Sequence, residues 1–350
     1  MTPGHVLVTG GAGYIGSHTC LALLQAGWRV TVADNLSTGS REALRRVEQL
    51  TGLPLALAQV DVRDAAAVQA LLEAHDFDAV VHFAALKVLS ESLRDPLSYY
   101  DHNVHGLTVL LQAMRRANVR SLVFSSSAAV YGVPDSVPIR EDAPLLGVNP
   151  YAVTKRIGEE MLGHLVASEP GWRAVSLRYF NPVGAHESGL LGESPAATPS
   201  NLMPVICDVA LGRRAELPVF GTDYPTRDGS CIRDFIHVMD LAQGHVRALH
   251  WMAEQPAPQC VAVNLGTGRG HSVLEMVQAF QAANGVAVPY RVVARRPGEV
   301  ADCHADARLA QSLLGWQAER GLAAMCTDAW RWSQSHPGGF ARAGSKAAAV

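Results

Sequence analysis

The sequence lacks several features that would place it in a specialised class of protein. Its six cysteines and fourteen histidines show no paired spacing, which argues against a disulfide framework or a metal site and favours a reducing compartment. No apolar run reaches the roughly 18 residues that span a bilayer, and the N-terminus lacks the pattern of a signal peptide. A net charge of −3 gives no basic field for nucleic acid or anionic membrane. We therefore expect a soluble cytoplasmic globular protein that binds neither.

The sequence does contain enough apolar residues for a large core, at 48% of 350 residues. At about 150 residues per domain, this length predicts two domains or one large one. Short apolar runs alternate with longer helical patterns, which predicts βαβ units in a Rossmann-type, doubly wound parallel sheet of the α/β class. The predicted strands are 5–9, 29–33, 79–83, 121–124 and 174–178, and the predicted helices are 17–26, 65–74, 107–117 and 153–167.

The composition and the periodicity of the sequence change near residue 180. Residues 181–200 are rich in Gly, Pro, Ser and Glu without a clear period, and the elements beyond them become shorter and mixed. We therefore predict a first domain over residues 1–180 and a smaller mixed α/β domain over 181–336. Residues 236–251 have the pattern of a strand followed by a helix and are a candidate to rejoin the first domain. The Gly- and Ala-rich residues 337–350 are predicted to be a disordered tail.

A glycine-rich loop joins the first predicted strand to the first predicted helix. Gly10, Gly13 and Gly16 have the spacing that permits a tight turn and a close approach of the backbone to a pyrophosphate. The helix N-terminus adds free N–H groups and a positive dipole end. Asp34 ends the second strand, where a carboxylate hydrogen-bonds ribose hydroxyls and repels a 2′-phosphate. The pattern predicts NAD binding; the alternative is a structural loop followed by an N-capping acid.

Two further strand ends are candidates for contacts with the cofactor. Asp61 and Val62 end the next strand, where a carboxylate commonly meets adenine, although a solvated loop acid fits the sequence nearly as well. Residues 83–87 (FAALK) place small side chains where a cofactor needs space. The alternative for that segment is packing at a strand end, with a surface lysine.

The candidate catalytic group is a tyrosine supported by a lysine and a serine. Tyr151 and Lys155 lie four residues apart, on one face of a predicted helix. A free tyrosine, with a pKa of about 10, is a poor base near neutrality, but a nearby ammonium and an oxidised nicotinamide ring both favour the phenolate. Ser127 follows the fifth predicted strand and could hold the same substrate hydroxyl. The alternative, an ordinary Tyr–Lys pair on a helix surface, becomes less favoured once the glycine loop and the serines are counted.

Taken together, these motifs resemble the UDP-glucose 4-epimerase family of the extended short-chain dehydrogenases/reductases, from about residue 5 to residue 336. The glycine loop and the Tyr–Lys pair mark only the superfamily, whereas segments 178–186 and 233–242 are far more specific to the epimerases. The segments that carry the resemblance are 8–18 (VTGGAGYIGSH), 34–36 (DNL), 83–87 (FAALK), 124–132 (FSSSAAVYG), 150–155 (PYAVTK), 178–186 (RYFNPVGAH), 201–204 (NLMP) and 233–242 (RDFIHVMDLA).

The resemblance implies two sets of contacts. The residues implied for NAD are Gly10, Gly13, Tyr14, Ile15, Gly16, Asp34, Asn35, Asp61, Val62, Phe83, Ala84, Ala85, Lys87, Asn103, Ser125, Tyr151, Lys155, Tyr179 and Phe180. The residues implied for the UDP-sugar are Ser127, Tyr151, Asn181, Asn201, Leu202, Val219, Phe220, Arg233, Arg296, Glu299 and Cys303. Arg233 and Arg296 would hold the diphosphate, as suits the bidentate geometry of arginine. Val219 and Phe220 would lie near uracil. Glu299 would meet the uridine ribose.

The resemblance also implies a mechanism. Tyr151, aided by Ser127, would take the proton of the sugar's 4-hydroxyl while the hydride at that carbon passes to tightly held NAD. The 4-keto sugar would swing about its phosphate linkage and receive the hydride on its opposite face. The protein would therefore grip UDP firmly and the hexose loosely.

Three positions depart from the pattern of the enterobacterial-type epimerases. Ala85 replaces a usual glycine, and Phe235 replaces a common tyrosine. Cys303 stands where hexose-restricted epimerases often carry a bulky tyrosine. We hypothesise that this small residue leaves room for a 2-acetamido group, so that UDP-GlcNAc and UDP-GalNAc are also interconverted; the alternative is a neutral packing variant.

Two other functions compete with epimerisation. A dehydratase needs an acid to expel the 6-hydroxyl and typically has Thr-Asp-Glu where this chain has serines at 125–127, which disfavours elimination, and a decarboxylase is a further alternative. A non-catalytic NAD-binding protein would tend to lose Tyr151 or Lys155, and both are present. If the family pattern holds, helices near 98–117 and 153–168 form a homodimer interface.

Overall fold

The computed structural model describes residues 4–195, 199–296 and 298–340. Its largest sheet has seven strands, all paired in parallel, in the order β11-β6-β5-β4-β1-β2-β3. The strands are β1 (His5–Thr9), β2 (Arg29–Ala33), β3 (Ala56–Ala58), β4 (Ala79–His82), β5 (Ser121–Ser127), β6 (Arg173–Tyr179), β7 (Asn181–Val183), β8 (Leu217–Phe220), β9 (Ile232–Arg233), β10 (Phe235–His237), β11 (Gln259–Leu265), β12 (His271–Ser272), β13 (Tyr290–Val293) and β14 (Asp302–Cys303).

Helices cover both faces of this sheet. Along β1, Val6 and Val8 join the core on one face and Leu7 joins the core on the other, so the strand is buried on both sides. Helices α1, α2 and α9 supply the first core, and α3, α6 and α7 supply the second. The helices are α1 (Tyr14–Gln25), α2 (Arg41–Thr51), α3 (Ala65–Glu73), α4 (Leu89–Arg94), α5 (Pro96–Tyr100), α6 (Gly106–Arg116), α7 (Pro150–Ser168), α8 (Leu202–Ala210), α9 (Val238–Glu254), α10 (Val273–Asn284), α11 (Arg308–Leu314) and α12 (Leu322–Ser335).

The predicted α/β, doubly wound fold is confirmed, and the four predicted helices match α1, α3, α6 and α7 to within three residues at each end. The chain returns to the central sheet over a longer segment than residues 236–251. Helix α9 packs against α1, and β11 pairs with β6 along its whole length. The sequence analysis missed β11, whose first residues lie partly exposed at the edge of the sheet and give a weak apolar signal.

A separate, smaller core forms the second lobe. It combines apolar residues of α8, α10 and α12 with those of β8 and of the short strands near residue 235. Three small sheets accompany it, namely β10-β7, β12-β9-β14 and β13-β8.

Residues 337–340, at the start of the segment predicted to be disordered, lie within the described structure. Phe340 is 8% exposed and joins the core beside Trp332, and its N–H donates to the Ser194 hydroxyl at 3.0 Å. The prediction is therefore wrong for residues 337–340, because an aromatic side chain anchors them. Residues 341–350 lie outside the described part of the chain.

Candidate active site

The glycine-rich loop forms a cradle at the carboxyl end of β1. Gly10 has a φ of +71°, and a Cβ there would lie 2.6 Å from the backbone nitrogen of Ala84. A Cβ on Gly16 would lie 2.3 Å from the Gly10 carbonyl oxygen, so only glycine lets α1 approach the strand this closely. Helix α1 starts after Gly13 with no side-chain cap and no acidic residue in its first turn. Its N–H groups therefore remain available to an anion.

Asp34 ties the end of β2 to this cradle. Its carboxylate accepts the Ala12 N–H at 3.0 Å and the Leu36 N–H at 2.8 Å, one on each oxygen. Burial raises the pKa of the Asp34 carboxyl, and the two backbone hydrogen bonds oppose that rise. Each oxygen keeps a lone pair for a further donor, such as a ribose hydroxyl.

Asp61 is held by protein groups on both oxygens. It accepts the Asn35 amide at 2.9 Å and a forked pair of bonds from Arg63 at 2.9 and 2.8 Å. The hydrogen bond from Arg63 holds the pKa of Asp61 well below its usual range. Val62 beside it is buried. The solvated loop acid considered from the sequence is thus an ion-paired acid, and the contact of Asp61 with adenine stays a prediction.

Asn103 positions the segment 83–87 rather than offering its amide hydrogens to a ligand. Its Oδ1 accepts the Leu86 N–H at 2.8 Å, and its Nδ2 donates to the Leu86 carbonyl and to Thr154 Oγ1, both at 3.0 Å. Because Thr154 lies on α7, this side chain joins the end of β4 to the helix that carries the candidate base. Both amide hydrogens are used within the chain, and the implied contact of Asn103 with NAD stays a prediction.

Tyr14 and Ile15 also differ from simple cofactor contacts. The Tyr14 hydroxyl donates to the Gly184 carbonyl at 2.7 Å, so it links α1 to the loop that follows β7. The Ile15 side chain packs against the core on the α1 face of the sheet. The Tyr14 hydroxyl is thus used within the chain, and the contacts of both residues with NAD stay predictions.

Tyr151 and Ser127 meet at the carboxyl end of β5. The Asn149 side chain accepts the Ala152 N–H at 2.9 Å and caps α7, which places Tyr151 in the first turn of that helix. Burial raises the pKa of the Tyr151 phenol, and a hydrogen bond from Ser127 lowers it in part. The structure thus places the predicted base, at the start of α7, near the predicted serine at the end of β5.

Lys155 is buried one turn further along the same helix. Its Nζ donates to the Ser125 carbonyl at 2.6 Å and lies 5.1 Å from the centre of the Phe124 ring. Burial lowers the pKa of Lys155 to about 7. The ammonium therefore lies at the end of β5, beside the pair formed by Tyr151 and Ser127.

Tyr179 ends β6 next to this group and is itself held by a histidine. Its hydroxyl contacts His245 Nε2, while His245 Nδ1 lies 2.9 Å from the Leu241 carbonyl. Burial lowers the pKa of His245 to about 4, so the ring is neutral; Nδ1 donates to the carbonyl, and Nε2 accepts from Tyr179. The Phe83 ring packs against the same imidazole, with centroids 4.8 Å apart.

The predicted UDP-sugar residues lie mainly on the second lobe. Arg233 donates to the Glu299 carboxylate at 3.0 Å and to the Ile232 and Val300 carbonyls at 2.7 and 2.8 Å, which fixes its guanidinium. Arg296 lies over the Phe220 ring, 3.8 Å from its centroid. These contacts bring both predicted diphosphate arginines to one region, next to the residue predicted to meet the ribose.

Val219 and Cys303 show how the local strands set the direction of side chains. Val219 is 1% exposed and its side chain belongs to the core of the second lobe, so its backbone is the part that can face uracil; the predicted position near uracil stays a prediction. Cys303 pairs with Arg233 across β14 and β9 and packs against the cluster that contains Phe180 and Ala128. It therefore lies next to the strand ends that carry the candidate catalytic groups.

The whole chain was compared with known proteins. Residues 6–266 match the model of the NAD dependent epimerase/dehydratase family. The chain belongs to this family. It is 50% identical to the UDP-glucose 4-epimerase of Bacillus subtilis over 335 residues, covering 96% of this chain and 98% of that one.

Solved structures of the family agree with this result. The UDP-glucose-4-epimerase from Stenotrophomonas maltophila with bound NAD and formylated UDP-arabinopyranose has a TM-score of 0.93 and 49% identity, covering 95% of this chain and 98% of that chain. The UDP-glucose 4-epimerase from Bifidobacterium longum in complex with NAD+ and UDP has a TM-score of 0.92 and 46% identity, covering 96% and 100%.

Glu193 is a cleft residue that the sequence analysis missed. Its carboxylate lies 3.8 Å from Lys87 Nζ and accepts the Asn201 amide at 3.3 Å, so it joins a predicted NAD residue to a predicted substrate residue. Trp332 Nε1 donates to the Glu193 carbonyl at 2.9 Å and fixes the backbone there. Glu193 lies in an aperiodic loop, which gave no signal in the sequence.

The remaining predicted residues serve the local structure in this member of the family. The Asn181 N–H donates to the Asp234 carbonyl at 2.9 Å, within the pairing of β7 and β10. Leu202 packs against the core of the second lobe at the start of α8. Within residues 4–195, 199–296 and 298–340, no three His, Cys, Asp or Glu side chains are grouped as metal ligands. Among the helices so described, none is long and apolar enough to cross a bilayer.

Proposed function

We propose that this protein is a UDP-glucose 4-epimerase, which inverts the 4-hydroxyl of UDP-hexoses through a 4-keto intermediate. The observation that carries the proposal is that α7 brings Tyr151 and Lys155 to the carboxyl end of β5, where Lys155 Nζ donates to the Ser125 carbonyl at 2.6 Å, in the same sheet edge as the glycine cradle. Identity of 50% with a UDP-glucose 4-epimerase over nearly the whole chain supports it.

The residues of the cradle fit NAD. The uncapped start of α1 suits a pyrophosphate, and the Asp34 carboxylate at the end of β2 keeps lone pairs for ribose hydroxyls. The description of the family as NAD dependent and the NAD bound to the Stenotrophomonas maltophila enzyme support the same cofactor. When bound, NAD would supply a reversible acceptor for the hydride at C4.

The chain's own residues would supply the proton chemistry and the grip on the nucleotide. Tyr151 would take the proton of the 4-hydroxyl while Ser127 holds that oxygen. Burial raises the pKa of the Tyr151 phenol; the Lys155 ammonium, one turn further along α7, would favour the phenolate electrostatically. Arg233 and Arg296 would bind the diphosphate, the part of the substrate that does not react, so the hexose stays free to turn.

The direction of the serines at 125–127 argues for epimerisation over elimination. Ser125 and Ser127 face Tyr179 and Tyr151, whereas Ser126 faces the Glu159 carboxylate on α7. That carboxylate is paired with Arg178 at 2.6 Å and is thus unsuited to expelling a 6-hydroxyl as a free acid. A dehydratase or decarboxylase is therefore the less favoured alternative.

An assay with UDP-galactose tests the proposed function. The purified protein should convert UDP-galactose to UDP-glucose, resolved by NMR, without continuous accumulation of NADH. Tyr151→Phe should lower kcat by about 10²- to 10⁴-fold, the usual contribution of a positioned base. Tyr290→Phe, at an exposed tyrosine, is the matched control. Near-normal turnover by Tyr151→Phe would refute the assignment of Tyr151 as the base.

The small side chain at position 303 supports a wider substrate range. Cys303 packs next to Phe180 and Ala128, close to the end of β5 that carries Ser127. A thiol there leaves more space than a phenol would, so we propose that UDP-GlcNAc and UDP-GalNAc are also interconverted. Incubation with UDP-GalNAc, with the products resolved by NMR, tests this extension separately.

We propose that the active form is a homodimer. Leu89, Leu93, Leu97 and Tyr100 are exposed on α4 and α5, which pack against α7. An exposed apolar stripe next to α7 supports the pairing expected for the helices near 98–117 and 153–168. Leu97→Asp should have the mass of a monomer in light scattering, and wild type the mass of a dimer. A monomer mass for both proteins would contradict the proposal.

We also propose a cytoplasmic location. All six cysteines lie in the described residues as free thiols, and four of them are buried, which suits a reducing compartment. Cell fractionation with an antibody to the protein tests this, and recovery in an oxidising compartment would contradict it.

A further inference from the structure

The middle serine of the run 125–127 is not used by the proposed mechanism. The side chains along a strand alternate between the two faces of the sheet. Ser125 and Ser127 therefore point to one side of the sheet at the end of β5. Ser126 points to the other side, is 1% exposed, and donates its hydroxyl to Glu159 Oε1.

Glu159 lies on the same helix as the candidate base. It follows Tyr151 by eight residues and Lys155 by four, so the three side chains share one face of α7. Arg178 on β6 pairs with it through two bonds, from Nη2 to Oε2 at 2.6 Å and from Nε to Oε1 at 3.0 Å. The side chains of Arg178 and Glu159 are only 5% and 9% exposed, so the ion pair is shielded from water.

The remaining guanidinium nitrogen of Arg178, Nη1, also donates hydrogen bonds. Its Nη1 donates to the Tyr131 hydroxyl at 2.9 Å and to the Glu141 carbonyl at 2.8 Å. The Tyr131 hydroxyl in turn donates to Asn264 Oδ1 at 2.6 Å. The network thus connects α7 to β5, β6 and β11, and it ends on groups fixed in the main sheet.

Such a network fixes the relative orientation of the elements that it joins more than it stabilises the fold. A buried ion pair gains little free energy over a well-packed apolar pair of the same size, because both charges lose their hydration. Its two-pronged geometry nevertheless fixes one orientation of the groups that it joins.

The apolar contact nearby leaves that orientation open. Next to Glu159, Gly158 faces the Phe124 ring, and a Cβ there would lie 2.5 Å from the ring's Cζ. The helix therefore lies as close to β5 as backbone allows, over a smooth aromatic surface. Close approach sets the spacing of α7 and β5. It does not set how far the helix slides or rotates, whereas directional hydrogen bonds do, those of Glu159 together with the bond from Lys155 to the Ser125 carbonyl.

We propose that Glu159 is a positioning residue for the reaction: through Ser126 and Arg178 it fixes the height and rotation of α7, and so aligns Tyr151 with Ser127. The inference rests on the proposed epimerase function. Small misalignments matter for such a pair, because a displacement of about 1 Å at reacting groups lowers rates by about 10²-fold.

Three variants test the proposal in the full-length protein. Ser126→Ala removes one hydrogen bond at little cost to packing, and Glu159→Gln removes the charge while keeping the shape. Glu160→Gln is the matched control, because Glu160 is an exposed neighbour on the same helix that pairs with Arg156 at 3.5 Å. All three are assayed for kcat and KM with UDP-galactose, for UDP affinity by calorimetry and for thermal unfolding.

A positioning role predicts a split between these measurements. Ser126→Ala should lower kcat by about ten-fold and Glu159→Gln by about 10²-fold, while KM and the UDP affinity stay within about two-fold of wild type. The control should match wild type throughout. If Ser126→Ala and Glu159→Gln keep the kcat of the control, or lose UDP affinity and thermal stability in step with kcat, the proposal is overturned.

A titration of Tyr151 provides a readout that does not depend on turnover. With the ring carbons of tyrosine labelled with ¹³C, and Tyr151→Phe used for assignment, NMR should report a higher pKa for Tyr151 in Ser126→Ala than in wild type, because the bond from Ser127 lowers it. Tyr99, Tyr179 and Lys155 around Tyr151 are unchanged in this variant. If the pKa of Tyr151 is the same in Ser126→Ala as in wild type, the inference is overturned. If the pKa of Tyr151 rises in Ser126→Ala but the wild-type protein does not epimerise UDP-galactose, only the proposed function is overturned.

Discussion

Arg233 and Glu299 form an ion pair, with Nη2 donating to Oε1 at 3.0 Å, although they lie 66 residues apart in the chain. Two backbone carbonyls hold the other terminal nitrogen of the same guanidinium. Arg233 is therefore oriented by the protein before any nucleotide binds. An arginine held in this way loses little side-chain entropy when it binds a diphosphate.

We predict that Arg233→Met raises KM for UDP-galactose by about 10- to 100-fold, the loss of one or two hydrogen bonds to a charged group. The kcat should change much less, because the diphosphate does not react. Arg291→Met, which removes an exposed arginine paired with Glu216, should leave both constants unchanged. A fall in kcat of that same size for Arg233→Met, with KM unchanged, would contradict a diphosphate-binding role.

We predict that Gly16→Ala is isolated with less than about a tenth of the bound NAD of wild type. The new Cβ would lie 2.3 Å from the Gly10 carbonyl oxygen, so the cradle must open. NAD released from the denatured protein is measured enzymatically, and circular dichroism checks the fold. Gly163→Ala, on α7 with no atom near its added Cβ, should keep NAD and gain about 1 kcal/mol of stability. Full NAD content in Gly16→Ala would exclude the cradle as the binding site.

We predict that Arg63→Met moves the acid unfolding midpoint to higher pH. The hydrogen bond from Arg63 holds the pKa of Asp61 below its unfolded value of about 3.9. This stabilisation is therefore present above that value and is lost as the pH falls through the folded-state pKa. Circular dichroism during acid titration measures the midpoint. Arg45→Met, at a 75% exposed arginine, is the control, and identical midpoints for the two variants would contradict the prediction.

We predict that Cys303→Tyr lowers the turnover of UDP-GalNAc by at least about ten-fold, since overfilling a packed site costs about 1–3 kcal/mol. Turnover of UDP-galactose should hold, which also shows that the variant folds. Cys303→Ser keeps a small side chain and should behave like wild type with both substrates. Comparable turnover of UDP-GalNAc by wild type and Cys303→Tyr would make the cysteine a neutral packing variant.

The features predicted correctly from sequence are those set by local spacing. The turn at Gly10 and Gly16 depends on neighbouring backbone, and Tyr151 and Lys155 share a face because a helix repeats every 3.6 residues. The same reasoning gives the direction of the Val219 side chain. In β8, Leu217 and Val219 are buried in alternation with more exposed neighbours, so a period of two already turns Val219 inward.

The features missed depend on contacts between distant segments. His245 meets Tyr179 only because α9 returns to the sheet, and Glu193 meets Lys87 only because two lobes face each other. Ser126 looked like its neighbours in the sequence, yet its role follows from Glu159, 33 residues away. Such pairings carry no local period and become visible only in three dimensions.

The central claim is that the configuration at C4 is inverted by removal and return of the same hydride. The most direct measurement uses UDP-galactose deuterated at C4, with the product analysed by NMR in ordinary water. The account predicts UDP-glucose that retains deuterium at C4, with none lost to solvent. Loss of the deuterium to solvent would contradict the account. So would a product that is altered at C6 and keeps the original configuration at C4.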